Sequence, residues 1–230
     1  MNFLEAFRFW LRPKTPQGEA PLTTKALVGL VALLLVSIAV RLGMLEFLEG
    51  LKADQGVFQE PGEVESLSPL MFVLFGILLM PILEELLFRG ALLRPWASIG
   101  AAMGVAGYFL YHLVVQPPVL EFRVMAALVA VGVFLMANRY RSGWQPRLDQ
   151  WYRRGFPAWF YLSAFMFGLV HLSNFSWETD AWWWLPLFVS PHMVSGMVYG
   201  YAAVRYGVRV SIGMHMLNNA IGYGLFLVGY

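Results

Sequence analysis

The chain has 230 residues, of which 59% are hydrophobic, 16% aromatic and only 13% charged, with a formal net charge of +2 and no cysteine. An average soluble domain carries about 25% charged residues, and too few polar side chains remain here to cover a water-facing surface. That composition excludes an ordinary soluble domain, a disulfide framework and a cysteine nucleophile; a lipid bilayer is the expected surrounding, and no nucleic-acid partner is expected.

Residues 1–22 mix Phe3, Leu4, Phe7, Trp10 and Leu11 with Arg8, Arg12 and Lys14 and then break at Pro13 and Pro16, the pattern of an amphipathic segment lying in the membrane interface. No short apolar core with a cleavage site accompanies these charges, so the first spanning helix is expected to act as an uncleaved anchor. A spanning helix needs about 20 mostly apolar residues, and seven segments qualify: 24–45, 68–93, 97–115, 121–138, 156–175, 183–204 and 208–228. With a cytoplasmic N-terminus, the inner segments hold all but three of the Lys and Arg residues, the exceptions being Arg41, Lys52 and Arg123. That bias obeys the positive-inside rule. The loop after the first span is acidic (Asp54, Glu60, Glu63, Glu65), and Trp182, Trp183 and Trp184 make an aromatic anchor at the outer end of the sixth span. The expected fold is all-α: a polytopic transmembrane bundle of about seven spans, with residues 23–230 forming one domain.

Ionisable groups inside spans are costly and by default mark function. The second span reads LMPILEELLFRG, with Glu84 beside Glu85 and Arg89 four residues beyond Glu85. Positions i and i+4 share a helix face, so Glu85 and Arg89 pair, whereas Glu84 projects about 100° away and is left for another partner. A helix end emerging into the headgroups with a surface ion pair is the plainer reading of the same letters. The fifth span sets Phe167 and His171 on one face; the seventh does the same with His215 and Asn219, while Asn218 points elsewhere. Gly196 and Gly200 in the sixth span have the small-x-x-x-small spacing of close helix contact. His112 has no polar neighbour and reads as packing; His192, after Pro191, is a secondary candidate as a substitute ligand or a polar wall.

Glu84-Glu85-x-x-x-Arg89, Phe167-x-x-x-His171 and His215-x-x-x-Asn219, in that order on separate membrane helices, resemble the CPBP family. That family includes type II CAAX prenyl endopeptidases, abortive-infection-like proteins and bacteriocin self-immunity proteins. The resemblance covers roughly residues 68–228, interrupted by two extra spans and a basic loop at about 97–155. An insertion of two spans preserves parity, so the fifth helix still leaves the cytoplasmic side.

The resemblance implies intramembrane proteolysis of a membrane-embedded or lipidated peptide, with Glu84 and His171 activating water. It further implies that His215 and Asn219 stabilise the oxyanion, and that Glu85 with Arg89 holds the second helix. Two chemistries fit: a divalent metal such as zinc held by Glu84, His171 and His215, or a metal-free site in which a buried Glu84 shuttles the proton. A helical rise of about 1.5 Å per residue puts these three residues within the hydrocarbon thickness, at depths differing by up to about 12 Å. A bacterial cytoplasmic membrane is the expected location. A non-catalytic scaffold or immunity protein and a proton-coupled transporter are the competing readings, and the oligomeric state stays open.

Overall fold

The computed structural model describes residues 3–55, 57–59, 68–93, 141–171, 175–177 and 185–228. The expected spans at 97–115 and 121–138 lie outside the described residues. Among the described residues six helical elements follow in chain order: α1 (Phe3–Leu11), α2 (Thr24–Gln55), α3, α4 (Arg141–Val170), α5 (Leu185–Tyr206) and α6 (Val208–Leu227). Helix α3 is composite, with an α turn Pro69–Met71, a π-helical stretch Phe72–Leu79 and an α-helix Met80–Leu93. Two three-residue strands, β1 (Val57–Gln59) and β2 (Phe175–Trp177), add a small antiparallel ribbon to the helical architecture, with Phe58 opposite Ser176.

Two described stretches are long and apolar enough to cross a bilayer by length and composition, Thr24–Met44 of α2 and Pro69–Gly90 of α3. Both turn large apolar side chains outward: Leu27, Val28 and Leu35 on α2, and Leu74, Phe75, Leu78 and Leu83 on α3 are exposed. An uninterrupted apolar face of this kind belongs against lipid rather than water.

Helix α4 departs from the sequence reading in both directions. The expected span 156–175 ends in the structure at Val170, with a turn at His171, and it begins fifteen residues sooner, at Arg141. From Arg141 on, the basic stretch read as a loop is therefore helical. Its cause is a buried stripe at helical spacing, Tyr152, Phe156, Phe160, Ala164 and Phe167, which runs straight through the arginines, leaving Arg153 and Arg154 exposed. The Tyr152 hydroxyl donates to the Leu92 carbonyl and ties this extension to the end of α3.

The core lies where α2, α4, α5 and α6 meet. Leu30, Leu33 and Leu34 of α2 pack with Phe167, Val198, Tyr199, Ala202 and Met214. Gly196 and Gly200 of α5 allow the close approach to α4: a Cβ on Gly196 would stand 3.1 Å from the Ala164 Cα, and one on Gly200 would stand 2.8 Å from the Phe160 ring. Gly207, with φ of +94°, makes the left-handed turn that ends α5 and starts α6. The N-terminal helix α1 is more than an interfacial float. Ala6 is fully buried, the Trp10 indole donates to the Met197 carbonyl, and the Tyr161 hydroxyl donates to the Trp10 carbonyl.

Candidate active site

The site is assembled from α3, α4, α5 and α6. On α3, Glu85 and Arg89 are both fully buried, and Arg89 Nε lies 3.3 Å from Glu85 Oε2. The i, i+4 pairing expected from the sequence is thus formed, and it is formed inside the protein rather than at a headgroup surface. Arg89 Nη2 donates to the Gly196 carbonyl at 3.2 Å, and its guanidinium lies 4.5 Å from the Phe167 ring centroid, so one arginine fastens α3 to α4 and α5.

Glu85 is held from every side. The Ser211 hydroxyl donates to Oε2 at 2.5 Å, with the Tyr199 carbonyl 2.9 Å away as a second acceptor, and His215 Nδ1 lies 3.1 Å from Oε1. A carboxylate can only accept, so His215 Nδ1 carries its proton toward Glu85 and Nε2 faces the other way. What Nε2 faces is Glu84: its Oε2 is 3.8 Å distant, buried and without a hydrogen-bond partner. One imidazole therefore stands between two adjacent carboxylates, one saturated and one free. Its ring is stacked on Tyr199 at 4.7 Å and 19°, with Phe167 edge-on at 5.6 Å, so it has little freedom to turn.

His171 ends α4. Its Nδ1 lies 2.7 Å from the Phe167 carbonyl, which can only accept, so Nδ1 is the protonated nitrogen and Nε2 is left as an acceptor. His192 of α5 stacks on it at 4.2 Å and 17°. Among the described residues His171 makes no hydrogen bond or ion pair with Glu84; the histidine in contact with both glutamates is His215. Asn219 Nδ2 donates 2.9 Å to the Gly76 carbonyl inside the π-helical stretch, and its Oδ1 accepts from Asn218 Nδ2 at 3.2 Å. π-helical turns are frequent at functional sites, and here the wide turn presents a backbone carbonyl to α6.

Among the described residues no group of three or more His, Cys, Asp or Glu side chains is placed to hold a metal ion. His215 and His171 are each held through Nδ1 by an acceptor, which leaves both Nε2 atoms and Glu84 Oε2 as the uncommitted donors of the expected set.

Four contributors escaped the sequence reading. Ser211 carries no motif signal, Tyr199 looks like one more aromatic, and Asn218, set aside in favour of its neighbour, is the more buried of the two. Arg41, counted among the outer charges, turns toward α6, where a Cβ on Gly222 would stand 3.3 Å from its Nη2. His192, ranked second, lies against the site.

The site is thus a buried Glu-Glu-x-x-x-Arg helix held by His215 and Ser211 of a neighbouring helix. The model of the family described as type II CAAX prenyl endopeptidase Rce1-like matches residues 66–221, and the chain belongs to that family. Family membership and the two apolar helices together make it an integral membrane protein. No curated protein and no solved structure matches the chain.

Proposed function

We propose that this protein is an intramembrane endopeptidase that hydrolyses a peptide bond in a membrane-associated, prenylated or otherwise lipidated substrate. The observation that carries the reading is the unpartnered, buried Glu84 Oε2 beside a histidine whose other nitrogen is fixed by Glu85. A carboxylate oxygen left without a partner beside a fixed imidazole is available to accept a proton from a substrate water.

In this mechanism Glu84 takes a proton from a water positioned with the help of His171 Nε2. The resulting hydroxide attacks the scissile carbonyl. His215, held through Nδ1 by Glu85, turns Nε2 to the tetrahedral oxygen and donates to it when that nitrogen carries a proton, and the second Nδ2 hydrogen of Asn219 adds to the same hole. Glu84 then returns its proton to the leaving amine, giving a free acid and a free amine from one water. Glu85 and Arg89 position His215 and lock α3; neither touches substrate. No step is routed through a metal. A seven-span, N-in arrangement in a bacterial cytoplasmic membrane places the site at mid-bilayer depth and is part of the same proposal.

The test is a panel of lipidated and transmembrane peptides incubated with the protein purified in detergent, with and without a zinc chelator, and with products mapped by mass spectrometry. A single cut site near the lipidated residue, insensitive to chelator, supports the glutamate mechanism. Loss of cleavage with chelator and recovery with zinc assigns the water to a metal instead. Absence of cleavage by folded protein across the panel moves the weight to a scaffold or transporter.

A further inference from the structure

Arg41 lies near the far end of the apolar stretch of α2, where a charged side chain ordinarily reaches out to headgroups. It reaches inward instead. A Cβ on Gly222 of α6 would stand 3.3 Å from Arg41 Nη2, and the guanidinium is within electrostatic reach of Tyr199, His171 and His192. Arg41 Nε is buried without a hydrogen-bond partner, and no carboxylate pairs with Arg41 among the described residues. The Tyr199 hydroxyl is also buried without a partner. Asn218, one helical turn before Gly222 and on the same face of α6, leaves its Oδ1 unpartnered as well.

A buried guanidinium nitrogen with no partner among the described residues is a costly feature for a fold to keep. Here it stands with a second unused donor at the wall of the candidate active site. A guanidinium and a phenol both donate, so the complementary occupant is a negatively charged oxygen acceptor, and the planar fork of arginine matches a carboxylate. A bilayer phosphate offers the same chemistry, but the side chain turns away from the lipid face toward α5 and α6. Every peptide with a free end carries a carboxylate. Helix α2 also lies outside the matched residues 66–221, so the family match assigns nothing to this position.

We propose that Arg41, assisted by the Tyr199 hydroxyl, receives the C-terminal carboxylate of the peptide cleaved at this site and is a specificity-determining residue. The inference rests on the protease reading, and its test separates the two. Full-length protein in nanodiscs of zwitterionic lipid is given two lipidated peptides that differ only in ending as a carboxylate or a carboxamide. Wild type prefers the acid by about tenfold or more in kcat/KM, the scale of one charge-assisted hydrogen-bonded contact. Arg41→Met brings the acid-to-amide ratio close to one, and Arg41→Lys gives an intermediate ratio.

Binding of the same two peptides to Glu84→Gln, with and without Arg41→Met, reads the discrimination without turnover. If wild type cleaves neither peptide yet the acid binds better in an Arg41-dependent way, the protease reading fails and the carboxylate receptor stands. An acid-to-amide ratio unchanged by Arg41→Met, in cleavage or in binding, overturns the proposal. So does an equal loss for both peptides when anionic lipid is added to the zwitterionic disc, because Arg41 then serves an anionic headgroup rather than the peptide end.

Discussion

His215 Nε2 lies 3.8 Å from Glu84 Oε2 while the same ring holds Glu85 through Nδ1 at 3.1 Å, so a single histidine distinguishes two sequence-adjacent glutamates. The distinction follows from helix geometry. Consecutive residues point about 100° apart, and only Glu85 can reach Arg89 one turn on. Its neighbour is left with a buried, unpartnered oxygen. Two carboxylates of identical chemistry thereby stand in different settings, one saturated with partners and one with a free oxygen.

The Glu85–Arg89 pair is buried on both sides, so removing one partner strands a charge. Either Glu85→Leu or Arg89→Met alone is expected to destabilise the protein by about 3–5 kcal/mol, and the double variant by clearly less than the sum. Thermal unfolding in detergent across the four proteins checks this. Strict additivity would show that the two side chains act independently.

Ser211 donates to Glu85 at 2.5 Å, a charge-assisted bond made in a fully buried setting. Ser211→Ala is expected to cost about 1.5–3 kcal/mol of stability and to lower kcat with little change in KM, because Glu85 then steers His215 less firmly. Steady-state kinetics on a lipidated peptide, together with the melting temperature, reads both effects. A change confined to KM would place Ser211 against substrate instead.

The helix contact between α4 and α5 depends on hydrogen-sized side chains. Gly200→Ala puts a Cβ 2.8 Å from the Phe160 ring and is expected to cost about 1–3 kcal/mol through forced repacking. Gly213→Ala meets nothing within 4 Å and is expected to be neutral or slightly stabilising. Equal melting temperatures for the two variants would remove the close-packing argument.

Much of this site was legible in the sequence because each motif is local. The Glu85–Arg89 bridge, the shared face of Phe167 and His171, and the close-contact glycines at Gly196 and Gly200 all follow from i, i+4 spacing on one helix. The helices α2, α3, α5 and α6 were legible for a similar reason, since apolar length marks the segments that hold them. What the sequence did not carry is contact across helices. Ser211 meets Glu85 across 126 positions of chain, and Arg41 was read as an outward charge because hydropathy has no term for a side chain folding back toward Tyr199. The stretch from Arg141 to Gly155 looked like a loop because its arginines dominate any window average, while the buried Tyr152 and Phe156 that make it helical are only two residues. The β1–β2 ribbon is too short to leave a periodic signal.

The central claim is that Glu84 moves the proton, and Glu84→Gln tests it most directly, because the amide keeps the size and loses the base. Cleavage of a lipidated peptide by the two purified proteins, with circular dichroism to establish that both are folded, is the measurement. The account predicts a loss of about 10²–10⁴-fold in kcat with the melting temperature little changed, the scale of general base catalysis. A variant that is folded and still cleaves within a few-fold of wild type would contradict it and move the base to another residue.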